Sequence, residues 1–225
     1  MCALALVIAA LVPAQAQQDR EAALGAQMAA QLRERMPVVN DTGTRFYVSE
    51  LVTKLAGRDY PITLEIVDTH SSDEPTEPLW LIGHYVFIPT ALIRDVRDES
   101  ELAGMLAHTL AHESRRDWIR VENSVTMRLY MIGSEGPVPM QIPLGFRRDP
   151  RVEYDADAGA VKAMQKAGYD PAALLRYVSR LHASDTNRIE ALGNVIQEMP
   201  AASPAVLDTS GFQRIQQKYR PADLR

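Results

Sequence analysis

Two histidines four residues apart, His108 and His112, have a spacing that could serve chemistry. On a helix, residues i and i+4 project from one face, so both imidazoles could bind the same metal ion. Apolar neighbours predict that this helix is buried: Leu102, Met105, Leu106, Leu110 and Ala111. Two histidines at this spacing also arise by chance, so the pair alone does not establish a metal site.

A second pair of candidate residues follows on the next long helical segment. Glu153 and Asp157 are again four apart. Glu153 could supply a third ligand, and Asp157 could accept the free N–H of one histidine, as carboxylates behind zinc histidines commonly do. The alternative is a solvated acidic helix face. Taken with the histidines, the pair predicts one zinc ion per chain, bound by His108, His112 and Glu153, with a fourth position open.

Longer stretches around these residues resemble a known family. The segment LAGMLAHTLAHESRRD, followed by EYDADAGAVKAMQKAGYDP, is similar to the family-forty-eight zinc metallopeptidases, which are gluzincins. Their pattern is H-E-x-x-H and then E-x-x-A-D-x-x-[GA] on a later helix. The resemblance extends from about Glu21 to Tyr219. It implies a gluzincin fold, a zinc cofactor and hydrolysis of peptide bonds in unfolded or envelope proteins.

The segment LHASDTNRIEAL resembles a further family pattern, H-P-x-x-x-x-R-I-x-x-L. His182 falls on the family histidine, and Ala183 replaces the proline. The resemblance implies that His182 closes the metal site or steadies the oxyanion. Without the resemblance, His182 is more simply a surface residue.

One departure from the family pattern concerns the chemistry directly. Thr109 occupies the position of the glutamate that takes a proton from the attacking water and returns it to the leaving amine. A threonine hydroxyl titrates far above neutral pH and cannot serve as this base, a role typically worth about 10²–10⁴-fold in rate. We therefore expect weak or lost peptidase activity. The alternative function is a non-catalytic pseudopeptidase that holds polypeptide clients as a chaperone or adaptor.

Two nearby carboxylates could replace the missing base. Glu113 lies about 100° around the helix from His112, and we expect it to be solvated. Asp155 lies close to Glu153 in sequence, but the helical spacing directs it away from the ligand face.

The elements that must position these residues can be located from periodicity and capping signals. Helices are predicted over Asp19–Arg35, over Asp41 or Thr42 to Leu55, over Ala91–Val96, from the capping box of Asp98 and Glu101 as far as about 120 or 132, over 150–167, to Leu181 after Pro171, from Asp185 to about Met199, and around Phe212–Tyr219. Strands are predicted over Ile62–Val67 and over Leu79–Ile88, the second interrupted at Gly83. A loop is predicted over Gly133–Arg148. These elements indicate a mostly helical α+β domain, with a small antiparallel or mixed sheet beside the metal-binding helices.

Composition and charge restrict the number of domains, the class of partner and the location of the protein. The chain has 225 residues with a net charge of -5, which suits one domain and argues against nucleic acid as a partner. Residues 1–16 form an apolar run that ends in Ala14-Gln15-Ala16, typical of a secretory signal peptide and too short to span a membrane. We expect a signal peptide over 1–16 and a single domain over 17–225, without a transmembrane segment. The expected location is the bacterial periplasm or exterior, with polypeptides as substrates or clients and an oligomeric state that the sequence does not specify.

Overall fold

The computed structural model describes residues 3–69, 76–117, 150–200 and 205–220. The loop predicted over Gly133–Arg148 and the predicted continuation of the His108 helix beyond residue 117 lie outside the described residues. Eight helices and three strands lie in the described part of the chain, and they form the mostly helical α+β fold with a small mixed sheet that the sequence predicts.

The elements follow one another in a simple order. They are α1 (Ala3–Arg35), α2 (Thr42–Ala56), β1 (Thr63–Val67), β2 (Leu79–Leu81), β3 (Tyr85–Pro89), α3 (Thr90–Asp95), α4 (Glu99–Ser114), α5 (Pro150–Ala167), α6 (Ala172–Leu181), α7 (Thr186–Gln197) and α8 (Ser210–Tyr219).

The sheet has the strand order β1-β3-β2, with β3 parallel to β1 and antiparallel to β2. The interruption predicted at Gly83 is present, but the prediction of one strand over Leu79–Ile88 was wrong, because the chain reverses at this point and forms a hairpin of two strands. Gly83 and His84, in the three-residue turn 82–84, both have positive φ, 81° and 67°, a conformation that short hairpin turns commonly use. A glycine signals such a turn, but a histidine in this conformation is uncommon.

The helix predicted over Asp19–Arg35 is part of the longer α1, which begins at Ala3. Its C-terminal half covers one face of the sheet. The residues of this contact are Ala29, Leu32, Met36, Val67, Leu81 and Phe87. Among the described residues, no helix is both long and apolar enough to cross a membrane.

The opposite face of the sheet packs on the main core, where Ile66, Val86 and Ile88 are buried with residues of α2, α4 and α5. Helix α4 lies almost entirely inside this core. Its N-terminus begins after Asp98, whose side chain accepts a hydrogen bond from the Glu101 amide at 2.9 Å. The reciprocal half of the predicted capping box is absent for this helix, because Glu101 Oε2 accepts the Arg97 amide instead, at 2.9 Å. The core therefore fixes the orientation of the helix that carries both histidines.

Candidate metal centre

Helix α4 presents His108 and His112 toward α5, and both side chains are buried. Their Nε2 atoms lie 3.0 Å apart, and their rings meet edge to face with centroids 4.5 Å apart. The i, i+4 spacing on one helix therefore brings both imidazoles to a single point.

Glu153, in the first turn of α5, faces the same point. Its Oε2 lies 3.4 Å from His108 Nε2, and its Oε1 lies 3.5 Å from His112 Nε2. The candidate ligand atoms of the three residues all lie within 4.8 Å of one another, as a metal site requires. The side chain of Glu153 is 17% exposed and that of Asp157 is 2% exposed, so the alternative of a solvated acidic face does not describe this pair.

Each histidine has a carboxylate behind it. His108 Nδ1 lies 2.8 Å from Asp157 Oδ1, a close contact that is not aligned as a regular hydrogen bond. His112 Nδ1 lies 2.8 Å from Asp117 Oδ2, with a hydrogen bond between them. The sequence analysis singled out Asp157 and missed Asp117. The sequence signal that could have identified Asp117 is its position, five residues after the candidate ligand His112 and just past the end of α4.

Arg188, on α7, binds the carboxylate behind His108. Its Nε and one terminal nitrogen donate to the two oxygens of Asp157 at 2.7 and 2.8 Å, and its other terminal nitrogen lies 3.4 Å from Glu153 Oε2. Burial raises the pKa of the Asp157 carboxyl, but Arg188 and His108 together hold it below its ordinary value. The sequence analysis recorded this arginine within the R-I segment and gave it no role.

The electrostatics of the three candidate ligands favour a cation. Burial lowers the pKa of the His108 imidazole, but contacts with Asp157 and Glu153 outweigh it and raise the pKa above its ordinary value. Carboxylates behind both Nδ1 atoms favour the tautomers that leave the Nε2 lone pairs facing the Glu153 carboxylate. Two imidazole nitrogens and a carboxylate meet at one point beside these carboxylates, a set of ligands that fits a metal such as zinc.

Trp80, on the short strand β2, covers one face of His112. The two rings are nearly parallel, with an interplanar angle of 12° and centroids 5.6 Å apart. The stacked indole limits rotation of the His112 ring.

Thr109, between the two histidines, is buried, and its hydroxyl donates to the Met105 carbonyl at 2.8 Å. This bond to the preceding helical turn is common for threonine within helices. This hydrogen bond uses the hydroxyl proton, the only side-chain proton that Thr109 can donate. Thr109 therefore contributes no ionisable group and no free donor to the centre.

The expectation that Glu113 is solvated was wrong. Its side chain is 2% exposed, and its two oxygens contact the Tyr60 hydroxyl and the His84 Nδ1. Asp155 is 56% exposed and pairs with Arg115 at 2.5 Å. Both carboxylates therefore bind groups outside the His108–His112–Glu153 cluster.

His182 ends helix α6 as its C-cap residue and lies outside the three-residue cluster. Its Nε2 lies 2.7 Å from an oxygen of Glu77, just ahead of β2. Glu77 raises the pKa of the His182 imidazole, and burial opposes this only in part. His182 thus links the α6–α7 connection to the segment that enters β2.

This fold and this constellation define a metallopeptidase-like domain. A model of Peptidase family M48 matches residues 79–196, more than half of the chain, so the chain belongs to this family. The family resemblance seen in the sequence is thereby confirmed.

Among curated proteins, the chain is similar to the beta-barrel assembly-enhancing protease of Yersinia pestis, with 23% identity over 185 residues. It is similar to the protein of the same name in Escherichia coli K12, with 21% identity over 182 residues. Each match covers 72% of this chain. The chain spans 38% of the Yersinia protein and 37% of the Escherichia coli protein.

Proposed function

We propose that this chain binds one zinc ion through His108, His112 and Glu153, and that it acts on polypeptides in the bacterial envelope with strongly reduced peptide-bond hydrolysis. The proposal combines membership of Peptidase family M48 with the geometry of the centre and the residue at position 109.

The observation that carries the zinc assignment is the convergence of three candidate ligand atoms on one point. The Nε2 atoms of His108 and His112 lie 3.0 Å apart, and the Glu153 carboxylate lies 3.4–3.5 Å from them. A zinc ion in this position would polarise a substrate carbonyl and acidify a nearby water. Asp157 and Asp117 would hold the two imidazoles in the ligating tautomer.

The reduced hydrolysis follows from the proton balance. A water that attacks a peptide carbonyl must lose a proton, and the departing amine must gain one. Thr109 can do neither, because its hydroxyl titrates far above neutral pH and its proton is bound to the Met105 carbonyl. Loss of such a group typically costs about 10²–10⁴-fold in rate.

The location and substrate class rest on different support. Residues 1–16 have the composition of a secretory signal peptide, which supports a single domain over residues 17–225 and a location in the periplasm or exterior. The names of the relatives are those of proteases linked to β-barrel assembly. These features support polypeptides of the envelope as substrates.

A second candidate function is a holding protein that binds polypeptide clients as a chaperone or adaptor and does not cleave them. The pairing of nearby carboxylates favours it, because Glu113 and Asp155 each bind another side chain outside the cluster. Under this proposal the zinc centre has a structural or binding role.

A pair of variants separates the two functions. Thr109→Glu restores the carboxylate, and Thr109→Gln has almost the same size without the base. Casein cleavage by zinc-loaded protein should rise by about 10²-fold or more in Thr109→Glu and should stay at the wild-type rate in Thr109→Gln. If Thr109→Glu binds zinc and remains inert, the holding function replaces the peptidase. Brisk cleavage by wild type that disappears in Glu113→Gln or Asp155→Asn would show that another base operates.

A further inference from the structure

The turn between β2 and β3, residues 82–84, is fixed from two sides. On one side α1 passes so close that a Cβ atom at Gly25 would overlap the carbonyl oxygen of Ile82. On the other side the imidazole of His84 contacts Glu113, near the C-terminal end of α4. The hairpin is therefore held at its tip between the first helix and the helix that carries the candidate ligands.

Glu113 is a buried carboxylate whose partners come from other elements. One oxygen contacts His84 of the hairpin, and the other contacts the hydroxyl of Tyr60, which lies just ahead of β1. A buried carboxylate must be compensated by donors, since its desolvation is otherwise costly. Glu113 follows His112 directly, so its two contacts connect the segment before β1 and the β2–β3 turn to the last turn of α4.

The same hairpin carries Trp80, whose indole lies parallel to the His112 ring. Trp80 lies in β2, and His84 is the last residue of the turn, four residues later in sequence. A shift of the hairpin relative to α4 would move the indole away from the imidazole. A stable contact between His84 and Glu113 should therefore keep the Trp80 indole against the His112 ring.

We propose that His84 and Glu113 are positioning residues, which hold the β2–β3 hairpin against α4 so that Trp80 keeps His112 in its ligating orientation. The role rests on the proposed zinc centre and extends it to residues that do not touch the metal. It also gives the buried Glu113 a function different from that of a replacement base.

The backbone at His84 allows a sharp test, because its φ of 67° suits glycine and asparagine better than other residues. His84→Gly removes the imidazole and keeps the turn. His84→Asn also suits the turn and retains an N–H donor for Glu113. Both variants are made with Trp118→Phe, so that Trp80 is the remaining tryptophan.

Two measurements follow on these proteins: zinc affinity by chelator competition, and Trp80 fluorescence of metal-free protein. His84→Gly should weaken zinc binding by about 10-fold, at the lower end of the effect of groups that orient metal ligands. It should also change the Trp80 emission without any metal. His84→Asn should recover most of both properties.

A matched control separates positioning from general stability. Glu99 is also buried on α4 and bound by a tyrosine hydroxyl and a second side chain, from Tyr169 and Thr209. Glu99→Ala should lower the unfolding temperature as much as Glu113→Ala, while only Glu113→Ala weakens zinc binding and alters Trp80. Equal losses of zinc affinity in Glu99→Ala and Glu113→Ala would overturn the proposal. Unchanged zinc affinity in His84→Gly would also overturn it. Absence of zinc binding in wild type would instead overturn the proposed function.

Discussion

Asp117 accepts a hydrogen bond from His112 across 2.8 Å, and the same distance separates Asp157 from His108. The two carboxylates come from different segments, one just past the end of α4 and the other from the second turn of α5. Each candidate histidine ligand is thus oriented by its own acidic residue. Loss of either carboxylate should therefore weaken metal binding by the histidine that it orients.

Removal of Asp117 should weaken zinc binding without removing a ligand. Asp117→Ala leaves the His112 Nδ1 without its carboxylate, so the imidazole loses its fixed tautomer and part of its basicity. We expect a loss of about 10–100-fold in zinc affinity, measured by chelator competition. Asp155→Ala is the control, since Asp155 is exposed and binds Arg115. Equal affinities in the two variants would contradict the role given to Asp117.

The number of bound zinc ions is a second prediction. Zinc-reconstituted wild-type protein should contain about one zinc per chain by mass spectrometry of the metal. His112→Ala and Glu153→Ala should each reduce this content strongly, because three protein ligands leave little redundancy. Wild-type protein that retains no zinc after reconstitution would rule out the proposed centre.

Arg188 should matter for stability even without metal. Arg188→Leu leaves the Asp157 carboxylate buried without its guanidinium partner. Breaking a buried ion pair on one side typically costs about 3–5 kcal/mol of the free energy of unfolding. Denaturant unfolding of metal-free protein measures this loss. The matched change Arg94→Leu breaks an exposed pair with Asp95, where about 0–1 kcal/mol is expected. A similar small loss in Arg188→Leu would show that the buried network does not stabilise the fold.

The stability of the first turn of α2 should depend on pH through Asp41. Asp41 caps this helix by accepting from the Thr44 amide at 3.0 Å, and it also binds Lys218 of α8 at 2.7 Å. Burial raises the pKa of the Asp41 carboxyl, but Lys218 and Thr44 outweigh it and hold the pKa well below its ordinary value. A lowered folded-state pKa means that the carboxylate stabilises the fold above the unfolded-state pKa of about 3.9 and less as the pH falls below it.

Asp41→Ala should therefore lose about 1 kcal/mol of the free energy of unfolding at pH 7, the usual value of an N-cap. The difference between wild type and variant should shrink as the pH falls below about 4. Urea unfolding at several pH values measures it. A difference that stays constant from pH 7 to pH 3 would contradict the assignment of this stabilisation to the ionised carboxylate.

Much of the fold follows from local signals that a sequence displays directly. Asp41, Asp98 and Asp185 each precede a helix, and each accepts a hydrogen bond from an amide of its first turn. The residues that approach one another at the metal centre are also visible, because His108 and His112 have helical spacing. The approach of Glu153 to His112 depends on how α4 packs on α5, which local sequence signals do not show. The family resemblance supported the choice of Glu153 as a ligand.

The features that the sequence missed depend on contacts between distant segments. Helical periodicity placed Glu113 off the ligand face and suggested solvent there. Tyr60 and His84 fill that space in the folded protein, so the carboxylate is buried. The hairpin was missed for a related reason: a positive φ at His84 is stabilised by tertiary contacts and has no signal of its own in the sequence.

The bidentate contact between Arg188 and Asp157 has a consequence for the dynamics of the C-terminal part of the chain. Asp157 binds Arg188 of α7 and also contacts His108, and Arg188 lies 3.4 Å from Glu153, so one arginine connects α7 to the metal centre. A metal ion that binds only the folded state shifts every opening reaction that disrupts its ligands. Amide hydrogens of Thr186–Gln197 should therefore exchange more slowly with solvent deuterium when zinc is present, although no residue of that helix is a proposed ligand.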